Sequence, residues 1–131
     1  MIFVDTSAFL AMLSAGDLNH QRASLCWRNL LEERQALFTN NYVIVESLAI
    51  IQKRLGLEKV RQFQENIMSL LEIEWVIEPQ HNTAIDTVLT TNRRDLSLVD
   101  CVSFETMRCL GIETVFTFDG HFREQGFIVI P

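Results

Sequence analysis

The sequence has few of the residues that interrupt folded segments or cross-link them. It contains 2 prolines, 5 glycines and 3 cysteines among 131 residues, and no Pro/Gly/Ser-rich linker or repeat divides it, so we expect one domain over residues 1–131. Three cysteines cannot all pair within one chain, and none lies in a CxxC or Cys/His pattern that would indicate zinc. We therefore expect buried free thiols in a reducing compartment.

Long apolar runs and an excess of positive charge are also absent. No apolar run approaches the roughly 20 residues that a membrane-crossing helix needs, and the run at residues 2–4 is too short for a signal peptide. With 11 basic and 17 acidic residues the formal net charge is −6, which argues against a protein that coats nucleic acid with positive charge. A nuclease is not excluded, because an acidic metal site itself adds negative charge. We expect a cytoplasmic protein with no membrane partner.

Short apolar runs alternate along the chain with helical stripes of apolar residues. This alternation predicts an α/β fold with a parallel sheet covered by helices on both faces. Functional sites in such folds form where the strands end. The predicted strands cover residues 2–4, 36–39, 74–77, 114–118 and 127–130, and the predicted helices cover residues 8–13, 19–34, 42–55, 58–72, about 84–89 and 97–110.

Two acidic residues follow predicted strands directly. Asp5 comes after Ile2-Phe3-Val4, and Asp119 ends the run that begins at Val115. Each also has an ordinary structural explanation, since Asp5 can cap the next helix and Asp119 with Gly120 forms a common turn pair. Both residues nevertheless lie at the sheet edge where sites of this fold class are found.

Two further acids lie on predicted helices. Glu46 is the only charge in the apolar stretch from Tyr42 to Ile51, so we expect a buried helix and a cation, either a metal ion or an arginine, facing the carboxylate. Asp100 lies three residues after Ser97, which matches a capping box, yet its apolar neighbours point this turn toward the interior.

The four acids Asp5, Glu46, Asp100 and Asp119 together indicate a metal site. Carboxylates that converge with no adjacent lysine or arginine repel one another unless their pKa values rise or cations bind. Ligands that are all oxygen select hard ions, hence Mg²⁺ or Mn²⁺. The three histidines are scattered along the chain, although His121 adjoins Asp119.

Several segments resemble the PIN domain family, and most closely the VapC-type toxin ribonucleases of toxin–antitoxin pairs. The resemblance covers the whole chain, and its most specific part is the region from Ser97 to Phe127. Its motifs are MIFVDTS at residues 1–7, Glu46 in its apolar helix, LSLVDCVSF at residues 96–104 and TFDGHF at residues 117–122.

The resemblance implies a three-layer α/β/α fold with a five-stranded parallel sheet and the four acids in one cleft. It adds Ser7, Ser97 and Thr117 as hydrogen-bonding neighbours of the site and its substrate. RNA-backbone contacts would then come from basic residues at the rim of the cleft, with Arg94 and Arg93 the best candidates. The resemblance also implies RNA hydrolysis with Mg²⁺ or Mn²⁺, a homodimer, and an antitoxin that inhibits the enzyme by occupying the cleft. A PIN nuclease outside toxin–antitoxin systems and a PIN-fold interaction module with remnant acids remain alternatives.

Two other enzyme or signalling classes share an acidic residue after the first strand. A haloacid dehalogenase phosphatase needs a second aspartate two residues later, but Ser7 stands there. A phosphoacceptor receiver domain needs paired acids near the first strand and a late lysine, yet the chain has no lysine after Lys59. Both classes are therefore disfavoured.

Overall fold

Five parallel strands joined by helices form the protein, and the computed structural model describes all of residues 1–131. Strands β1 to β5 span Ile2–Val4, Leu37–Asn40, Glu72–Glu74, Thr114–Phe116 and Ile128–Ile130. Helices α1 to α7 span Thr6–Leu13, His20–Glu32, Asn41–Leu55, Leu57–Gln62, Glu78–Thr91, Leu98–Leu110 and His121–Glu124. The predicted fold class is confirmed.

The sheet has a topological switch point between β1 and β4. Its strand order is β3-β2-β1-β4-β5, and every neighbouring pair is parallel. The chain runs outward from β1 to β3 and then returns to the other side of β1. Right-handed crossovers would place α1 to α4 on one face and α5 to α7 on the other. Helix α1 packs on α2 and α3, α5 packs on α6, and α3 also contacts α6. Ligands bind at such switch points in open α/β sheets.

The core is built from the two central strands and the helices that cover them. Phe3, Val4, Val115 and Phe116 are fully buried, as expected for strands covered on both faces. Phe9 packs edge to face on Phe63 with ring centroids 5.1 Å apart. This rigid centre fixes the carboxyl ends of β1 and β4 relative to each other.

The region predicted as one helix from 58 to 72 is broken. Helix α4 ends at Gln62, a π-helical turn spans Phe63–Ile67, and a 3₁₀ turn spans Met68–Leu70. The backbone N–H of Met68 donates to the carbonyl of Phe63, five residues earlier, which is the π-helical pattern. The wider turn buries both Phe63 and Ile67, and a sequence periodicity of 3.6 residues does not reveal it.

The third strand lies earlier than predicted. Strand β3 pairs Glu72 with Phe38 and Glu74 with Asn40, whereas the apolar pattern of the sequence predicts it at residues 74–77. The apolar residues that motivated that placement follow the strand, and Trp75 is 65% exposed. Because β3 is an edge strand, burial does not force its register as it does for a central strand.

The three cysteines differ in their exposure to solvent. All three cysteines are free, but only Cys101 is buried, Cys26 is half-buried and Cys109 is exposed. The expectation of buried thiols is therefore wrong for Cys109. None of the helices combines the length and apolar character required to span a membrane.

Candidate active site

Asp5 lies at the switch point, immediately after β1, with only 5% of its surface exposed. It caps helix α1, and its Oδ2 accepts hydrogen bonds from the Ser7 N–H at 3.4 Å and the Ser7 hydroxyl at 2.9 Å. Burial raises the pKa of Asp5 from 3.8 to about 6, although hydrogen bonds from Thr117 and Ser7 lower it. Its capping role and its predicted functional role are therefore compatible.

Two hydroxyls join the turn after β1 to the turn after β4. Thr117 Oγ1 donates to Asp5 Oδ2 at 2.9 Å and accepts from the Asp119 N–H at 3.0 Å. Ser7 Oγ accepts from the Phe118 N–H at 2.9 Å and lies 3.0 Å from Thr117 Oγ1. The predicted hydrogen-bonding neighbours of Asp5 thus hold the two strand ends together.

Asp100 lies in the first turn of α6, where its predicted capping box is present. Its Oδ2 accepts from the Ser97 N–H at 3.1 Å, and its own N–H donates to Ser97 Oγ at 3.1 Å. Burial raises the pKa of Asp100, and the negative charge of Asp119 raises it further, while the hydrogen bonds with Ser97 lower it. One carboxylate therefore both caps a helix and faces another acid.

Asp119 and His121 extend this pair into a cluster. One ligand atom each from Asp100, Asp119 and His121 lies within 4.8 Å of the others, close enough to share a metal ion. The His121 N–H donates to Asp119 Oδ1 at 2.9 Å. The His121 Nδ1 is 2.7 Å from the same oxygen, but this contact lacks hydrogen-bond geometry and leaves Nδ1 without a hydrogen-bond partner.

His121 is also tied to the loop between α5 and α6. Its Nε2 lies 3.1 Å from Asp95 Oδ2, and this hydrogen bond raises the pKa of His121; burial lowers it and the charge of Asp119 raises it further. A protonated imidazole donates hydrogen bonds and does not ligate a metal. When protonated, His121 can offset the charge of Asp119; when neutral, it can ligate a metal ion together with Asp119.

Glu46 does not have the buried setting that the sequence predicted. Helix α3 buries only one side, and Val45 next to Glu46 is 67% exposed. Glu46 is half-buried in a pocket of about 280 Å³ that also contains Tyr42 and Val99. It forms no ion pair with arginine. The expectation of a fully buried carboxylate was wrong because apolar residues also cover part of the exposed side of this helix.

A buried amide links the helix of Glu46 to the helix of Asp100. Asn40, fully buried at the end of β2, accepts from the Val43 N–H at 2.9 Å and so caps α3. Its Nδ2 donates to Ser103 Oγ at 3.4 Å and to Thr106 Oγ1 at 3.1 Å on α6. Because a buried amide needs such partners, this network fixes α3 against α6.

The structure therefore brings the predicted acids together in part. Asp100 and Asp119 converge, Asp5 is joined to Asp119 through Thr117, and Glu46 lines the neighbouring pocket beside Val99. No lysine or arginine forms an ion pair with any of these four acids. Carboxylates in this setting suit a hard divalent cation, which would offset the charge that burial penalises.

The basic residues near the site divide into paired and unpaired ones. Arg93 is held by Asp95 at 2.8 Å and by Glu124 at 2.9 Å. Arg94 is exposed and forms no ion pair. Of the two candidates for RNA contact, only Arg94 has an uncommitted guanidinium group.

Sequence reasoning missed two arginines at the site. Arg22 on α2 and Arg123 on α7 line the same pocket as Asp119. The position of Arg123, four residues after Asp119, was a usable signal. Nothing in the sequence places Arg22 there, because the packing of α2 near the end of β5 is a tertiary contact.

The chain is similar to known proteins over almost its whole length. The PIN domain family model matches residues 2–128. The chain is 30% identical over 131 residues to the "23S rRNA-specific endonuclease VapC20" of two Mycobacterium tuberculosis strains. The match covers 99% of this chain and 98% of each relative.

Two solved structures share the fold. The crystal structure of M. tuberculosis VapC20, described as a sarcin–ricin loop cleaving toxin, covers 100% of both chains with a TM-score of 0.87 and 30% identity. FitAcB from Neisseria gonorrhoeae covers 100% of this chain and 97% of its own, with a TM-score of 0.73 and 18% identity. The chain belongs to the PIN domain family.

Proposed function

We propose that this protein is a Mg²⁺- or Mn²⁺-dependent endoribonuclease, with Asp5, Glu46, Asp100 and Asp119 as its metal-binding and catalytic residues. The observation that carries the proposal is the convergence of Asp100 and Asp119 beside the buried Asp5, with no lysine or arginine ion-paired to any of them. Membership of the PIN family and similarity to an endonuclease that acts on rRNA support it.

The residues present fit a divalent cation. When bound, the cation would supply Lewis-acid chemistry, lowering the pKa of a water and offsetting charge on the phosphate. The chain's own donors orient the carboxylates: the Ser7 and Thr117 hydroxyls donate to Asp5 Oδ2, and the Ser97 backbone N–H donates to Asp100 Oδ2. Such neighbours orient metal ligands and commonly affect binding strongly. Direct contact of these hydroxyls with substrate stays a prediction, as does contact of Arg94.

The proposed substrate is RNA cleaved within the chain. VapC20 is named as specific for 23S rRNA and as cutting the sarcin–ricin loop, so an RNA hairpin with that loop is the first substrate to test. We further propose a cytoplasmic toxin that acts as a homodimer and is inhibited by a cognate antitoxin. Light scattering would measure the dimer, and co-expression with an adjacent open reading frame would test the antitoxin.

The direct test is cleavage of the hairpin with Mg²⁺ and with chelator. We expect cleavage by the parent protein only with the metal, and a loss of about 100-fold or more in the Asp100→Asn variant, since one metal ligand contributes several kcal/mol to the barrier. The matched control is Asp86→Asn, because Asp86 is exposed on α5. Equal rates for Asp100→Asn and the parent, or cleavage in chelator, would refute the proposed site. A folded parent that never cleaves RNA would instead favour an interaction module.

A further inference from the structure

A polar pocket, distinct from the one beside Glu46, adjoins the acidic cluster on the β5 side of the sheet. It has a volume of about 190 Å³ and lies over the ends of β4 and β5. Thr117 and Asp119 contribute to it from the turn after β4, so it shares two residues with the candidate active site. The remaining lining residues are Arg22, Phe118, Gly120, Arg123, Val129 and Pro131.

The side chains that line this pocket carry a net positive charge within an acidic protein. Arg22 and Arg123 contribute two positive charges to its lining and Asp119 contributes one negative charge, whereas the whole chain carries −6. Neither arginine forms an ion pair with an acidic residue. The side chains that line the pocket therefore keep a net positive charge even when Asp119 is ionised, and they favour an anion.

Arg22 is held in place before any ligand arrives. Its guanidinium lies 5.6 Å from the centre of the Phe118 ring and donates a hydrogen bond to the Pro131 carbonyl oxygen at 3.2 Å. Phe118 is itself fixed, because its N–H donates to Ser7 in the active-site network. A guanidinium with a fixed orientation and free N–H groups is well suited to a phosphate.

We infer that Arg22 and Arg123 form a phosphate subsite that binds the RNA backbone next to the scissile position. The inference rests on the proposed function, because the ligand it names is the RNA phosphodiester. It gives the path of the substrate strand, which would pass from the acidic cluster across Asp119 toward the end of β5. An acidic segment of a protein partner would have the same charge, but the adjacency to the candidate catalytic acids favours RNA.

The test measures binding of the sarcin–ricin hairpin across a series of KCl concentrations, with chelator present so that the RNA stays intact. Each phosphate contact contributes about 0.7 to 0.9 to the slope of log affinity against log salt. We expect Arg22→Gln and Arg123→Gln each to weaken binding about fivefold. Each should also lower the slope by the contribution of one phosphate contact, about 0.7 to 0.9. The control Arg28→Gln removes an exposed arginine from the same helix, away from this pocket, and should change neither quantity.

A second substitution separates charge from packing. Arg22→Lys keeps the positive charge and loses the planar group, so it should retain most of the salt slope that Arg22→Gln loses. Equal losses of the salt slope in the Lys and Gln variants would overturn the inference, because a charge contact with a phosphate keeps its slope when lysine replaces arginine.

The outcomes for the two proposals are distinct. If the parent does not cleave RNA with Mg²⁺, the proposed function fails. If the parent cleaves and binds RNA but the double Arg22→Gln, Arg123→Gln variant has the same affinity and slope, only the subsite is wrong. Unchanged RNA binding together with loss of a protein partner would likewise exclude the RNA subsite.

Discussion

Thr117 donates a 2.9 Å hydrogen bond to Asp5, which lies 112 residues earlier in the sequence. The bond joins the ends of β1 and β4, the two strands on either side of the switch point. The same Thr117 oxygen accepts from the backbone of Asp119 at 3.0 Å. One hydroxyl therefore sets the relative position of two of the proposed metal ligands.

The first prediction concerns this hydroxyl. Thr117→Val keeps the shape of the side chain but removes the donor to Asp5 and the acceptor for the Asp119 N–H. We expect RNA cleavage to fall about 10- to 100-fold, the range typical for neighbours of metal ligands. Thr117→Ser retains the hydroxyl and should stay close to the parent. Cleavage by Thr117→Val at the parent rate would show that the hydroxyl does not position the acids.

The sequence predicted the parts of the fold that burial determines. Apolar runs located β1 and β4, whose residues Phe3 and Val115 are fully buried, and the acids after these strands followed from their topology. The edge strand β3 and the π-helical turn at Phe63–Ile67 were missed, because a partly exposed edge and a local change of helical pitch leave no clear periodic pattern.

The candidate site was predictable only to the level of residue type. Asp100 was recognised both as a cap and as a candidate ligand, and both descriptions fit the structure. The burial of Glu46 was overestimated, since an apolar stretch does not reveal which side of a helix faces solvent. Arg22 could not be placed, because its position depends on the packing of α2 near the end of the sheet.

The second prediction concerns the pH dependence of stability without metal. Asp5 has a pKa of about 6 in the folded protein against 3.8 as a free group. The folded state therefore binds the proton more tightly, and the contribution of Asp5 to stability declines as the pH rises from about 4 to 6. A shift of roughly two units corresponds to about 3 kcal/mol.

Asp5→Asn removes this cost while keeping an oxygen that can accept from Ser7 and Thr117. We expect the variant to be more stable than the parent by about 1–3 kcal/mol at pH 7.5 in chelator, with the difference vanishing toward pH 4. Urea unfolding at several pH values measures it, and the exposed Asp86→Asn serves as the control. A difference that does not vary with pH would contradict the elevated pKa.

The third prediction concerns the buried amide between α3 and α6. Asn40→Ala removes the cap of α3 and leaves Ser103 and Thr106 without their amide partner. We expect the free energy of unfolding to fall by about 2–4 kcal/mol. Asn29→Ala, at an exposed position of α2, should change it by less than about 0.5 kcal/mol. Similar values for the two variants in urea unfolding would show that the network does not stabilise the fold.

The fourth prediction separates activity from stability at Glu46. Glu46 is half-buried and forms no ion pair, so Glu46→Gln should alter the free energy of unfolding by less than about 0.5 kcal/mol. Its cleavage rate should nevertheless fall about 10-fold or more, since a carboxylate contribution to the metal site is lost. The exposed Glu32→Gln, on α2, should keep full activity. Full activity in Glu46→Gln would remove Glu46 from the site.

The central claim is that these carboxylates bind the divalent cation that catalysis requires. Its most direct test is a crystal structure of the parent grown with Mn²⁺, with the ion located by anomalous scattering. We predict an ion coordinated by oxygens of Asp5, Asp100 and Asp119, directly or through water, with direct bonds of about 2.0–2.3 Å, and with Glu46 facing it. An active protein whose Mn²⁺ lies elsewhere, or whose four acids bind none, would contradict the account.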